Sequence, residues 1–261
     1  MNIFYILVFL TTTFALPFPE DLDNGLIQMS DIEEEIAREA MTNPDLLGGD
    51  MLGVKEILEA DRNGRRGKQF RWPNAVVPYV IEDDINDKKM KLIDDAISYY
   101  RENTCVRFVP RTDEEYYITI YNGSRCTSYV GKQELDKQPQ PLSLTDGCDY
   151  VGTIMHEFMH ALGFYHEHSR SDRDEYVEIR LENADEKMHG QFFKLSKALE
   201  VRYTGYDYDS IMTYGSKSFS NNGKDTIVPL QKGVVLVDAF KKFKMTKSDL
   251  KRVNRMYKCQ V

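Results

Sequence analysis

At 261 residues, with 41% hydrophobic and 29% charged residues, the chain can bury a real core, which excludes a disordered or fibrous protein. Its net charge of -8 counts against a nucleic-acid partner, because a phosphate backbone attracts basic faces. The charge is uneven. From Pro17 to Arg62 there are 13 Asp and Glu against 3 Lys and Arg, whereas residues 63–261 carry 29 acids and 31 bases. An acidic leading segment is thereby set apart from a near-neutral body.

The first elements concern targeting. Ile3 to Leu10 is continuously apolar, Thr11 to Thr13 is polar, and Thr13 with Ala15 supplies small residues before a cut, so residues 1–16 read as a signal peptide. The stretch is too short to cross a bilayer, and no later segment reaches that length. Asp31 to Ala40 reads as a short acidic helix, followed by turns at Asn43-Pro44 and Gly48-Gly49-Asp50. Asp61 to Gly67 is basic, contains two glycines and suits proteolytic nicking. The boundary of a pro-segment, residues 17–62, is placed there, and residues 63–261 form the domain that follows.

Within that domain, Ala75 to Ile81 reads as a strand. Asn86 caps a helix to about Arg101, with Met90, Ile93, Ile97 and Tyr100 on one face. Val106 to Val109 and Tyr117 to Tyr121 alternate as half-buried strands, and Leu142 to Leu144 is a further candidate. Val151 to Leu162 is a second helix, stopped by Gly163. Ser169 to Gln231 is polar and turn-rich, and Thr246 to Tyr257 is a last helix with Leu250, Val253 and Met256/Tyr257 turned inward. The pattern is that of one α+β domain.

A secreted chain with an even number of cysteines is read as disulfide-bonded. Cys105, Cys126, Cys148 and Cys259 show no CxxC spacing, and three pairings are open. Asn122-Gly123-Ser124 is a glycosylation sequon.

The chemistry is concentrated in His156-Glu157-Phe158-Met159-His160-Ala161-Leu162-Gly163-Phe164-Tyr165-His166. A four-residue spacing puts His156 and His160 on one helix face. Gly163 tolerates positive φ, so the chain can turn and bring His166 round as a third nitrogen ligand. Three imidazoles suit Zn²⁺ and leave a position open for water. Glu157 then stands beside that water as a general base. The remaining histidines, His168 and His189, are expected to face solvent.

The run HExxHxxGxxH is the metzincin pattern. Its continuation through Glu167, Arg170, Asp172, Arg173 and Asp174 resembles the longer astacin signature, HExxHxxGFxHExxRxDRD. Ser210-Ile211-Met212-Thr213-Tyr214 is similar to that family's Met-turn, with Thr213 where His is usual. Arg71-Trp72-Pro73, Val77-Pro78-Tyr79 and Gly131-Lys132-Gln133-Glu134-Leu135 are similar to the protease domain of meprins.

The resemblance implies a metzincin-like zinc endopeptidase. It would have a twisted sheet and two long helices in an N-terminal subdomain, an irregular C-terminal subdomain ending in a helix, and a cleft between them. His156, His160 and His166 would hold one Zn²⁺ per chain, with Glu157 as base. Met212 would form a floor under the metal, and Tyr214 would approach it at rest and swing to stabilise an oxyanion. The implied disulfides are Cys105–Cys259 and Cys126–Cys148. Leu47-Gly48-Gly49-Asp50 matches a pro-segment motif whose aspartate, here Asp50, latches the zinc. A trypsin-like protease would cut between Arg62 and Asn63, and the new amino terminus at Asn63 would pair with Glu167; Arg65-Arg66 offers a competing cut that leaves Gly67 first. Lys242 falls near a family position associated with acidic residues after the scissile bond. The implied partners are protein or peptide substrates, and the expected form is a secreted monomer that binds no nucleic acid.

Overall fold

The computed structural model of the chain describes residues 26–54, 68–134, 138–198 and 200–260. The signal segment and the cleavage positions Arg62 and Asn63 lie outside the described residues. Ser30 caps the first helix, α1 (Asp31–Ala40), and closes a capping box with Glu33. The strand reading of Val76–Ile81 (β2) holds to within a residue, as does the cap at Asn86, whose side chain accepts from the Lys89 amide to start α2 (Asp87–Asn103). The other strands of the main sheet are β1 (Met51–Leu52), β3 (Arg107–Pro110), β4 (Ile118–Tyr121), β5 (Thr127–Tyr129) and β6 (Gln140–Ser143).

The sheet runs β1-β5-β6-β4-β2-β3. The last four strands are mutually parallel, and β5 lies antiparallel to β6. β1 comes from the leading segment and joins the edge parallel to β5, with Met51 opposite Ser128. Strands that alternate buried and exposed residues leave one apolar face, and here α2 and α3 (Val151–Leu162) pack together beside it. Tyr100 of α2 donates to the Met155 carbonyl of α3 at 2.8 Å. The Phe108 ring on β3 stacks on Phe158 with centroids 4.4 Å apart. Ile93, Ile118, Ile120, Leu142 and Ile154 are wholly buried, each contributing about 1.5–3 kcal/mol.

All twelve residues of α3 are buried, including His156, Glu157 and His160. Charged and polar side chains are rarely placed so deep without a partner, so the helix is built around a site. Its end is fastened by Trp72 Nε1, which donates to Ala161 O at 2.8 Å, and by the Tyr257 hydroxyl on Leu162 O at 2.9 Å. Gly163 then takes φ 111°, and the chain reverses as expected.

Beyond α3 the turn-rich reading of Ser169 to Gln231 also holds. The region contains β7 (Val177–Ile179) and β8 (Ile227–Pro229), paired antiparallel, among short 3₁₀ turns. It closes on α4 (Lys247–Tyr257), where Thr246 and Asp249 form a second capping box. The disulfides are Cys105–Cys259 and Cys126–Cys148. Among the described residues no helix is long and apolar enough to cross a membrane.

Gly152, in the first turn of α3, sits against the backbone of the segment before α4. A Cβ there would lie 2.1 Å from Ala239 O and 2.2 Å from Lys242 O. Gly152→Ala is therefore expected to destabilise the protein by about 1–3 kcal/mol, because backbone rather than a flexible side chain must move. Urea denaturation measures it, and a loss below about 0.5 kcal/mol would contradict this packing.

Candidate active site

α3 sets two imidazoles on one face and the Gly163 reversal adds a third. The Nε2 atoms lie 3.0 Å apart for His156 and His160, 3.0 Å for His160 and His166, and 3.2 Å for His156 and His166. Asp50 completes the group, its oxygens 3.1 Å from His156 Nε2, 3.4 Å from His160 Nε2 and 3.1 Å from His166 Nε2. All four residues are wholly buried.

The protonation of the rings follows from their outer contacts. His156 Nδ1 lies 2.8 Å from the Ile211 carbonyl, and His160 Nδ1 lies 2.7 Å from that of Phe164. A carbonyl only accepts, so in these two rings Nδ1 carries the hydrogen and the neutral ring turns an Nε2 lone pair inward. Burial favours the neutral form of two rings, lowering His160 and taking His166 down to about 4. Lone pairs facing one another at these distances repel unless a cation lies between them. A tetrahedral zinc with bonds of about 2.0–2.1 Å has ligand edges of roughly 3.3 Å. The observed spacings come within a few tenths of an ångström of that, so the donor set fits the metal in chemistry and in size.

Asp50 arrives from the leading segment through Gly48 and Gly49. A Cβ at Gly48 would meet Met51 Cε at 2.3 Å and His166 Nδ1 at 3.0 Å, and one at Gly49 would meet Met41 O at 2.8 Å. Burial would raise the Asp50 carboxyl, and only positive charge on the side facing His166 and His160 holds it well below the carboxylate range, the same demand for a cation. Its Oδ2 lies 2.6 Å from the Tyr214 hydroxyl, which is also 2.7 Å from Gly48 O. Burial first, and then the charge of Asp50, push the Tyr214 phenol well up. The same two causes raise Glu157, whose two oxygens have no hydrogen-bond partner among the described residues.

The opposite wall is the turn at 210–214. Asp249 of α4 accepts from Ser210 Oγ at 2.5 Å and from the Ile211 amide at 2.8 Å. Ile211 O in turn holds His156. Met212 is wholly buried, and its carbonyl accepts from the Glu167 amide at 2.9 Å.

Two sequence expectations change. His168 does not face solvent: it is 1% exposed, stacked 5.2 Å from the His166 ring and 5.2 Å from Tyr214, with Nε2 3.3 Å from Gln191 O. The 3₁₀ turn after His166 rotates it inward, which sequence spacing does not reveal. Lys242 is likewise buried, and its ammonium donates to Ser210 O at 2.7 Å. Glu167 is paired with Arg252 and Arg170. Asn122 is exposed, so its sequon is accessible.

Residues 64–258 match the family model of the astacin peptidases. The chain belongs to the astacin family. It is 39% identical over 216 residues to astacin-like metalloprotease toxin 1 of Loxosceles intermedia, covering 82% of this chain and 81% of the toxin. It is 35% identical over 270 residues to zinc metalloproteinase nas-14 of Caenorhabditis elegans, covering 92% of this chain but 52% of that protein. The solved structure of high choriolytic enzyme 1, a hatching enzyme zinc-protease from Oryzias latipes, aligns with a TM-score of 0.65 at 36% identity, over 73% of this chain and 94% of that one. Membership of the astacin family makes the chain a zinc-dependent metalloendopeptidase with the family's α+β fold, and the His156, His160, His166 and Asp50 group is able to hold one metal ion.

Burial lowers the Lys242 ammonium from its ordinary 10.5 to about 8, against the nearby Asp249 and Asp238 carboxylates. Between those values the unfolded chain binds the extra proton, so this lysine makes stability rise with pH. Relative to Lys242→Met, the wild-type protein is expected to gain up to roughly 1.4 kcal/mol per pH unit from about pH 8 to about pH 10. Denaturation curves at both values test this, and parallel profiles for the two proteins would contradict it.

Proposed function

We propose that this chain is the latent precursor of a secreted endopeptidase. In this reading residues 1–16 are the signal, residues 17–62 the pro-segment and residues 63–261 the catalytic domain. The carrying observation is the inward convergence of three Nε2 atoms with Asp50 beside them and a buried Glu157, without a hydrogen-bond partner among the described residues, on the same helix. His156, His160 and His166 hold the zinc, and Asp50 occupies the place of water and substrate until the leading segment departs. Zinc held there acidifies a water molecule and polarises the carbonyl of the peptide bond.

The chain's own groups then handle the protons. Glu157, raised by burial, accepts a proton from the attacking water at a carboxylate oxygen. It passes that proton to the nitrogen of the departing amine as the C–N bond breaks. Loss of Asp50 frees the Tyr214 hydroxyl, which is then able to donate to the negative charge developing on the peptide carbonyl oxygen. Met212 serves as an apolar floor beneath the metal. Protein and peptide chains are the substrates, a trypsin-like protease makes the activating cut between Arg62 and Asn63, and the product acts as a monomer. Secretion is supported by two disulfides and by the exposed sequon at Asn122, the glycosylation site.

The deciding assay uses full-length protein folded first and then cut after Arg62. Hydrolysis of a denatured protein substrate is expected to vanish with a zinc chelator and return on adding zinc. A zinc-loaded, fully cut sample that hydrolyses nothing would overturn the reading in favour of a binding module. Glu157→Gln is expected to retain zinc and lose about 10²–10⁴-fold in kcat/KM; unchanged activity removes Glu157 as base. Asp50→Ala is expected to give the uncut chain measurable activity, and continued latency would assign inhibition to another part of the leading segment.

A further inference from the structure

A small apolar cluster near the three histidines stands apart from the main core. Met51 and Val54 are 1% exposed and Val130 is 5% exposed, and the partly buried Leu47, Tyr165 and Phe193 pack against them. Leu47, Met51 and Val54 come from the leading segment, whereas Val130, Tyr165 and Phe193 belong to the body that follows it.

The body's half of the cluster is held by bonds of its own. The amide of Gly131, next to Val130, donates to His160 O at 2.8 Å. Tyr165 sits between His166 and Phe164, whose amide donates to Met159 O at 3.1 Å. Phe193 O accepts from Arg173 Nη1 at 3.2 Å, as does its neighbour Phe192 O at 2.5 Å. None of these bonds involves the leading segment, so its departure leaves all three walls fastened and uncovers them.

Met51 enters this cluster from the position next to the metal site. It follows Asp50, whose carbonyl accepts from the Ser128 amide at 3.0 Å, and it lies opposite Ser128 on β5. A Cβ on Gly48 would lie 2.3 Å from the Met51 methyl and 3.0 Å from His166 Nδ1, so the methionine tip reaches back toward the third histidine. A strand added to a sheet edge is held by main-chain bonds that are indifferent to sequence, and its side-chain pockets supply the selection. None of the three walls carries a charge. A charged side chain seated there would lose its water without gaining a counter-ion, whereas a buried Met or Leu is favoured.

We propose that Val130, Tyr165 and Phe193 form a specificity pocket that takes a Met- or Leu-sized apolar side chain of the substrate, within two residues of the bond being cut. This rests on the zinc and pro-segment reading above and names a substrate class for that same site. In the uncut chain Met51 holds the place that the substrate's side chain takes later.

The test folds the full-length chain, cuts it after Arg62, separates the fragment and sequences the products of a random peptide library. One position within two residues of the cut is expected to favour Met, Leu or Phe over Asp, Glu and Lys. Peptides differing only there, Leu against Ala, are expected to differ by about 10–100-fold in kcat/KM. Phe193→Lys is expected to reduce the preference for Leu over Asp at that position by about tenfold or more. A general loss of folding or of metal would lower all peptides alike and leave that ratio unmoved. Binding supplies a second readout: a peptide of residues 43–54 is expected to bind the cut protein about 10–100-fold more tightly than its Met51→Asp variant. If Phe193→Lys fails to fold, the library profile and the two binding constants decide. A library profile flat at all four positions nearest the cut overturns the pocket, and so does equal binding of the two peptides. A zinc-loaded, fully cut sample that hydrolyses nothing would instead sink the enzyme reading, and the pocket's role with it.

Discussion

Three buried imidazoles whose Nε2 atoms meet at one point are a crowded arrangement until a cation joins them, and much of the structure serves to keep them there. Carbonyls at Ile211 and Phe164 fix two of the rings in the tautomer that turns lone pairs inward. α3 is buried on every side, so the rings have no solvent to turn toward. Asp50 supplies negative charge from the leading segment, which favours a cation further. The same low dielectric that lowers His160 and His166 also raises Glu157, so one burial acts on both kinds of group.

Support for this pocket comes from α4 at the far end of the chain. Asp249 and Arg252 are on its buried face and bind the two segments that converge on the site, one through the Ile211 amide and one through Glu167. The region between α3 and α4 has little regular structure of its own. In place of ladders it uses arginines on backbone carbonyls: Arg173 Nη1 reaches His168 O at 2.8 Å and Phe192 O at 2.5 Å. Such bonds fix irregular backbone while leaving no periodic trace in the residues.

That difference explains what the residues reveal without coordinates. Val151 to Leu162 is legible because helical spacing, an apolar run and a stopping glycine agree. The HExxH pair follows from the same periodicity, and His166 from the glycine. Asp50 requires the family resemblance, since it meets His156 across 106 residues of sequence. His168 escapes such reasoning because a 3₁₀ turn rather than a helix follows His166. Arg252 is hidden among the many cations near the C-terminus; only its contact with Glu167, 85 residues away, distinguishes it.

The acidic α1 carries a consequence of another kind. Glu34 meets Lys241, Glu39 meets Arg125 at 3.2 Å, and Arg38 meets Asp238 at 3.5 Å, so partly exposed charges add to the buried Ala37, Ala40, Met41 and Met51 and the β1 pairing that dock the leading segment. Pro17 to Arg62 carries 13 acids and 3 bases, while residues 63–261 hold 29 acids and 31 bases. A cut at that boundary would separate a polyanion from a body of slightly positive charge. Salt would screen only the charged part of this dock, and the strand pairing and buried apolar contacts would still have to part before the fragment leaves.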